Sequence, residues 1–254
     1  MKNMKRWVVA VFLIMFFPVC AFAESLTVAA AANVEFALKE LKSAFEQETG
    51  ITVKTVIGSS GKLVAQIENG APFDIFMSAD MEYPEILKKE GLVYGEPKVY
   101  SYGILVLWTV SRDINLEGWQ EVLGQRRIRK IAIASPKTAP YGKQAINAIK
   151  YYNLYRNVSH KLVYGESISQ ASQFIASGAA DIGFTAKSVV LAPDIKEKGV
   201  WVEVDPKAYQ PLAQGVVILN YAQEHHSKEA LKFFDFLFSD QAKEIFKKYG
   251  YVLP

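Results

Sequence analysis

Short apolar runs alternate with amphipathic segments over the first third of the chain. The apolar runs, which predict buried strands, lie at 25–32, 51–57 and 73–80. The amphipathic segments, which predict helices, lie at 34–50, 62–70 and about 81–90. Strand–helix alternation at this spacing is typical of parallel βαβ units, so we expect an α/β fold with helices on both faces of the sheet.

A longer apolar run at 99–110 breaks this rhythm and predicts a longer strand. The alternation then restarts, with strands expected at 130–134, 161–165 and 181–185 and helices at 142–153 and 168–178. A second long strand is expected at 214–220, before two terminal helices.

The economical topology for this order of elements has two α/β lobes. Lobe I takes residues 24–104 and 214–254, and lobe II takes residues 105–213. The two long strands would join the lobes, and the terminal helices would pack on lobe I. Ligand sites in open α/β sheets lie at the carboxyl ends of the strands, so we expect a ligand cleft between the lobes.

The first 23 residues have the form of a secretory signal peptide. A basic start, MKNMKRW, precedes the apolar stretch VVAVFLIMFF, and AFA at 21–23 has the small-x-small form of a cleavage site before Glu24. A retained membrane anchor is the alternative, but no second apolar stretch follows. A lipoprotein interpretation through Cys20 is weaker, because Phe-Pro-Val precedes that cysteine.

Removal of the leader changes the charge and the cysteine content. The leader holds three of the 29 basic residues and none of the 26 acidic ones, so the mature chain is formally neutral. A nucleic-acid or anionic-membrane partner would require a basic surface, so both are excluded as expected partners. The single cysteine, Cys20, also leaves with the leader, so we expect no disulfide and no thiolate nucleophile. These features suggest a periplasmic protein.

The loop IGSSGKL at 57–63 does not match the catalytic motifs that it resembles. A nucleotide-binding phosphate loop needs four residues between its glycines and Ser or Thr after the lysine, whereas Leu63 follows Lys62 here. A nucleophile elbow needs glycine where Lys62 stands. The pair His225 and His226 lies in a polar loop and is therefore expected to be solvated. A metal site there is not expected, because the other expected ligands are absent. No enzyme activity is therefore expected.

The same loop is suited to binding an anion. Gly58 and Gly61 free the backbone, and Ser59 and Ser60 offer hydroxyls where a helix begins. Taken alone, this pattern is more often that of a serine helix cap in a glycine turn. Similar helix starts recur, however, at Asn33, at 140–142 and at 167–168.

Two of these helix starts lie in each predicted lobe, so closing the cleft would bring all four together. Each helix N-terminus carries about half a positive charge, so four provide roughly two. That charge suits a small dianion held by neutral donors. Lys62 is the other residue of this loop that could bind the anion, but its charge is expected to stay in water.

Six segments of the chain resemble the periplasmic molybdate-binding proteins of ABC transporters. They are VAAAANV, GSSGKLVAQIENGAPFDIFMSAD, YGILVLW, APYGKQA, ASGAADIGFTA and FKKYGYVLP. The similarity extends in order over essentially the whole mature chain. It implies a two-lobed type II periplasmic binding protein fold, in which two βα sandwich lobes are joined by two hinge strands. It also implies molybdate, and usually tungstate, as the ligand, no cofactor, and a monomer that delivers the ligand to a membrane permease and its ATPase.

The resemblance also implies which residues contact the oxyanion. They are Asn33, Ser60 and, through their backbones, Ala32, Tyr141 and Ile168. One branch of the family has serine at the position of Asn33 and tyrosine at that of Ala186, so this chain resembles the other branch. That branch often has threonine at the position of Ala32, where alanine leaves only a backbone donor.

Other functions remain open at this point. A receptor for sulfate or another tetrahedral oxyanion would use the same fold, because the sequence does not give the cavity volume. A secreted serine hydrolase using Ser60 would need a base within hydrogen-bond reach, and none of the three histidines follows a strand at a position facing the cleft. A ligand sensor that docks on a signalling partner would share the same site.

Overall fold

The computed structural model describes residues 25–254, so the predicted leader and its cleavage site lie outside the described residues. The strands are β1 (Ser25–Ala31), β2 (Thr52–Gly58), β3 (Ile75–Met77), β4 (Val93–Gly103), β5 (Leu105–Thr109), β6 (Ile131–Ala134), β7 (Leu162–Gly165), β8 (Ile182–Ala186), β9 (Val200–Glu203) and β10 (Leu212–Leu219). The helices are α1 (Glu35–Thr49), α2 (Ser60–Glu68), α3 (Glu82–Lys89), α4 (Trp119–Gly124), α5 (Pro140–Tyr151), α6 (Tyr155–Val158), α7 (Ile168–Ala176), α8 (Lys187–Val190), α9 (Asn220–His225), α10 (Ser227–Phe236) and α11 (Asp240–Lys248). Short 3₁₀ turns lie at Ala32–Val34, Ser159–Lys161 and Pro206–Ala208.

These strands form two five-stranded sheets, one in each lobe. The order is β2-β1-β3-β10-β4 in lobe I and β7-β6-β8-β5-β9 in lobe II. In lobe I, β1 is parallel to β2 and β3, whereas β10 is antiparallel to β3 and β4. In lobe II, β6 is parallel to β7 and β8, whereas β5 is antiparallel to β8 and β9. The two-lobed α/β fold predicted from the sequence is thereby confirmed, with mixed sheets instead of purely parallel ones.

The strand predicted over 99–110 is two strands in the structure, and that prediction was wrong. The chain leaves the lobe I sheet at Gly103, and Leu105 begins the first strand of the lobe II sheet. The apolar pattern is continuous through this break because the last residues of β4 and all of β5 are largely buried. The return connection enters lobe I through β10, whose Leu212 pairs with Gly103. The lobes are thus joined where β4 and β10 lie side by side.

Helices α10 and α11 pack on lobe I, where they close its core. Phe45 of α1 contacts Phe233 edge-to-face at 5.0 Å between ring centroids and Phe236 at 5.4 Å. The core of lobe II, which reaches lobe I at the cleft, includes Trp119, which meets Phe184 edge-to-face at 5.7 Å. Burying aromatic side chains is strongly stabilising, so each lobe has a core of its own that can hold its half of a cleft rigid.

One of the two adjacent histidines departs from the expected solvated position. His226 Nδ1 lies 2.8 Å from Oδ1 of the buried Asp74, whose other oxygen accepts the Thr27 backbone N–H at 2.7 Å. His225 is exposed and stacks on Tyr221 with ring centroids 4.2 Å apart. Within residues 25–254 the structure contains no group of three or more His, Cys, Asp or Glu able to hold a metal ion. No helix in that range is long and apolar enough to span a bilayer.

Candidate ligand-binding site

A small cavity lies between the lobes where four helices begin. Its lining consists of uncharged residues: Ala31, Ala32, Asn33, Gly58, Ser59, Ser60 and Ala79 from lobe I, and Ala139, Pro140, Tyr141 and Ile168 from lobe II. The space open to the centre of a water-sized sphere is only about 10 Å³. In this form the cavity has room for about one water molecule and is far too small for a sugar. All five residues selected from the sequence line it: Ala32, Asn33, Ser60, Tyr141 and Ile168.

The helix starts place backbone amides at this cavity. The amides of Ser60, Tyr141 and Ile168 lie in the first turns of α2, α5 and α7, where no intrahelical acceptor exists. Among the described residues no other backbone carbonyl accepts from them. Pro140 occupies the first position of α5 and has no N–H, so Tyr141 provides the first donor of that helix.

The serines of the α2 loop differ in their hydrogen bonds. Ser60 Oγ accepts the backbone N–H of Ala79 at 3.1 Å, so its own hydrogen is free to be donated elsewhere. Ser59 is the N-cap residue of α2, yet its side chain makes no capping bond. Its Oγ is buried and has no partner among the described residues. A buried unpaired hydroxyl is unfavourable, which makes Ser59 a further candidate donor that the choice from the sequence missed. Its hydroxyl is one of the two that the IGSSGKL loop offers, but Ser59 was not among the five residues selected.

Asn33 lies at the cavity, but its side-chain amide is engaged elsewhere. The amide nitrogen donates to Gln214 Oε1 at 2.7 Å and to Tyr251 Oη at 3.1 Å, which uses both of its hydrogens. The backbone oxygen of Asn33 accepts from Ser188 Oγ at 2.7 Å and from Tyr251 Oη at 2.9 Å. In this conformation the donor that Asn33 can offer a ligand is its backbone N–H. A side-chain donor was the simpler expectation from the sequence.

Three buried tyrosines surround the site. Tyr141 Oη accepts a hydrogen bond from Gln214 Nε2 at 3.2 Å, and Tyr100 Oη donates to Gln214 Oε1 at 2.9 Å. Burial raises the pKa of Tyr141, Tyr100 and Tyr251 above the usual range, since removal from water disfavours phenolate. These hydroxyls are therefore neutral donors and acceptors at any physiological pH.

The lobes meet around the cavity through polar contacts at its rim. The Gly61 N–H of lobe I donates to the Thr138 carbonyl of lobe II at 2.9 Å. Lys143 pairs with Glu82 at 2.6 Å across the same boundary. Exposed ion pairs of this kind contribute only about 0–1 kcal/mol each, so they add little to the free energy of closure.

Lys62 also takes part in this rim, contrary to the expectation that its charge would lie free in water. Its Nζ lies 2.5 Å from Glu166 Oε1 of lobe II, and both side chains are about half exposed. The helix surface alone could not predict this pairing, because Glu166 belongs to the other lobe. Lys62 is absent from the lining of the cavity.

A family model described as bacterial extracellular solute-binding protein matches residues 26–252. The molybdate-binding protein ModA of Azotobacter vinelandii is 39% identical over 234 residues, which cover 92% of this chain and 92% of that protein. ModA of Rhodobacter capsulatus is 37% identical over 252 residues, which cover 99% of this chain and 97% of that protein.

Solved structures show the same architecture. The Azotobacter vinelandii periplasmic molybdate-binding protein matches with a TM-score of 0.85 at 34% identity, covering 90% of this chain and 99% of that chain. The sulfate-binding protein SubI of Mycobacterium tuberculosis H37Rv matches with a TM-score of 0.71 at 18% identity, covering 90% of this chain and 86% of that chain. At that lower identity the likeness shows the fold alone.

Proposed function

The chain belongs to the bacterial extracellular solute-binding proteins, and we propose that it captures molybdate, and also tungstate, for an ABC transporter. Like these relatives, it is a binding protein and not an enzyme. The observation that carries the proposal is the uncharged cavity between the lobes, at which helices from both lobes begin. The metal is bound as its oxyanion and is cargo, with no separate cofactor.

The proposed ligand contacts come from both lobes, taken as residues 24–104 with 214–254 and residues 105–213. Lobe I provides the backbone of Ala32 and Asn33 and the hydroxyl and amide of Ser60. Lobe II provides the backbone amides of Tyr141 and Ile168. These groups lie at the starts of helices, where the dipoles favour an anion by about 0.3–1 kcal/mol each at exposed sites and more where partly buried.

An uncharged set of donors suits a tetrahedral dianion. Backbone amides only donate, so a protonated anion would place its hydrogen against groups that cannot accept it, and each mismatched buried group would cost about 1–3 kcal/mol. The small volume of the cavity adds selection by size. Delivery requires a membrane permease with its ATPase, which would recognise the closed pair of lobes. We propose export to the periplasm through the predicted leader, and a monomeric state.

Two other functions are less well supported. A sulfate receptor would need the same kind of donors, and a structural likeness at 18% identity does not favour it over the 39% identical molybdate-binding relative. A serine hydrolase would need a base beside Ser60. The lining of the cavity contains no histidine, aspartate or glutamate.

Thermal unfolding of the mature protein tests the ligand class. Molybdate or tungstate at about a hundred times its dissociation constant should add roughly 2.7 kcal/mol. This corresponds to a rise in Tm of about 5–10 °C for a chain of this length. Sulfate, phosphate and chromate at equal ionic strength are compared in the same series. We expect Ser60→Ala to reduce the molybdate shift and Ser43→Ala, an exposed serine of α1, to leave it unchanged. A shift with sulfate or phosphate alone would overturn the molybdate proposal.

Ligand affinity should stay constant between about pH 6.5 and 9, because no lining residue titrates in that range. Stability should decline above about pH 10, where unfolded tyrosines lose their protons while the raised pKa of Tyr100, Tyr141 and Tyr251 keeps the folded ones protonated. Calorimetric titration across the pH range measures the first effect and thermal unfolding the second. A tenfold change in ligand affinity between about pH 6.5 and 9 would show that a titrating group contacts the ligand.

A further inference from the structure

Gln214 lies at the place where the two lobes join, outside the set of residues that line the cavity. It is fully buried in β10 and pairs with Ser101 of the neighbouring strand β4. The register of this pairing shifts directly after it, between Gln214 and Gly215. A buried glutamine in a strand needs polar partners, so its contacts identify what it does.

The side-chain amide of Gln214 connects one group from each lobe. Its Oε1 accepts from Asn33 Nδ2 of lobe I at 2.7 Å and from Tyr100 Oη at 2.9 Å. Its Nε2 donates to Tyr141 Oη of lobe II at 3.2 Å. Asn33 and Tyr141 are both residues of the proposed ligand site. A single side chain at the hinge therefore holds a residue from each half of the site.

The space around this junction is a second, independent observation. A Cβ atom built on Gly103 would overlap both Tyr141 Oη and Gln214 Nε2. Gly103 is the last residue of β4 before the chain crosses to lobe II. The hydrogen bond between Gln214 and Tyr141 is thus packed directly against the backbone of the hinge, and a change of hinge angle would move it.

Buried hydrogen bonds tolerate little displacement, because a polar group that loses its partner inside the protein is strongly unfavourable. The network therefore favours one relative position of Asn33 and Tyr141. A cavity of fixed width discriminates between tetrahedral oxyanions by their size. The same network without its central amide would leave that width free to vary.

We propose that Gln214 is a positioning residue, which sets the distance between the two halves of the ligand site and thereby its preference for large over small tetrahedral oxyanions. The inference rests on the proposed function. Gln214 acts through Asn33 and Tyr141 and does not touch the ligand. Its removal should weaken binding of molybdate more than binding of sulfate.

The test compares Gln214→Met with Gln144→Met in the mature protein. Gln144 is the matched control, since it is also buried and bonded, to Asn147 and Gln210, but makes no hydrogen bond to Asn33, Tyr100 or Tyr141. Calorimetric titration of Gln214→Met should show a loss of molybdate affinity of at least roughly tenfold, which is within the usual range of coupling between two sites. Titration with sulfate should show a smaller loss, so the ratio of molybdate to sulfate affinity should fall. Gln144→Met should keep the wild-type ratio. An unchanged ratio in Gln214→Met would overturn the inference.

A measurement of lobe separation distinguishes positioning from a general loss of stability. The mature chain has no cysteine, so spin labels can be placed at Glu68→Cys in lobe I and Lys150→Cys in lobe II, both exposed. At saturating molybdate we expect Gln214→Met to give a broader distance distribution than the parent and Gln144→Met to give the parental one. Equal widths would count against positioning.

Tyr141→Phe provides a conservative second variant in case Gln214→Met folds poorly. It removes the hydroxyl that accepts from Gln214 and keeps the ring and the backbone amide. Its effect on the affinity ratio should be similar in direction, and combining it with Gln214→Met should add little. Fully additive effects would contradict the proposed connection. Failure of the parent protein to bind molybdate would instead overturn the proposed function, which separates the two outcomes.

Discussion

Replacing Gly61 with alanine should weaken ligand binding by about 5- to 150-fold without lowering the stability of the ligand-free protein. Gly61 is the second residue of α2, and its N–H meets the Thr138 carbonyl of the other lobe. A Cβ atom at this position would lie 2.5 Å from Tyr83 Oη and 3.1 Å from Thr138 Cα. Overpacking of this kind typically costs about 1–3 kcal/mol. Tyr83 belongs to lobe I, as Gly61 does, and the end of its side chain can turn aside, whereas the contact with the Thr138 backbone arises only when the lobes meet. The larger part of the penalty therefore falls on the closed, ligand-binding form.

The opposite effect on stability makes this variant informative. Gly61 has an ordinary helical conformation, with no positive φ angle that alanine would resist. Alanine is the better helix former by up to about 1 kcal/mol, so the ligand-free Tm should stay equal or rise. Most binding defects come with some loss of stability, whereas this one should not.

Calorimetric titration and thermal unfolding of Gly61→Ala measure both effects on one preparation. The control is Gly124→Ala, where the new Cβ would have no heavy atom within 4 Å. Adding Tyr83→Ala to Gly61→Ala removes the nearer clash and should restore part of the affinity. If Gly61→Ala binds as tightly as the parent, then the contact between Gly61 and Thr138 does not belong to the ligand-bound form.

Much of the framework of the site follows from local sequence patterns. The strand–helix alternation placed β1, β2, β6 and β7 correctly to within a few residues, because hydrophobic periodicity is a local property. The starts of the helices that follow these strands lie at their carboxyl ends, where such folds place ligands.

The remaining features depend on tertiary structure. The crossing between the lobes was expected near residue 104, but the split of the strand there was missed, because the apolar run from the buried end of β4 into β5 is continuous and only the change of sheet separates the two strands. Short helices such as α6 and α8 have four residues each, which is too few to show a period. Their presence depends on packing against the sheets.

The polar connections of the site were equally inaccessible from the sequence. Asn33 was selected as a ligand, yet its amide bonds to Gln214, which is 181 residues away along the chain. Lys62 was expected to remain in water, yet it meets Glu166 of the other lobe. The local sequence pattern predicts which face of a helix or strand is buried and where that helix or strand ends. It does not predict which side chain from a distant strand completes their hydrogen bonds.

Replacing Gly142 with alanine should both destabilise lobe II and abolish tight ligand binding. Gly142 is the third residue of α5, and a Cβ there would overlap the carbonyl oxygen of Ala134, the last residue of β6. The atoms in the way belong to the backbone, so no side chain can turn aside. Helix α5 would have to move away from β6, and it would carry the Tyr141 amide out of the cavity.

Thermal unfolding and calorimetric titration of Gly142→Ala test this close approach. We expect destabilisation by about 1–3 kcal/mol, or a drop in Tm of about 2–10 °C, and a loss of molybdate affinity larger than in any single hydroxyl deletion. Gly124→Ala is again the control, since it adds the same methyl group in lobe II where nothing is crowded. A destabilised Gly142→Ala that still binds tightly would mean that α5 can shift without moving a ligand contact. Tyr141 would then have to be removed from the proposed site, and the closed cavity would depend on three helix starts instead of four.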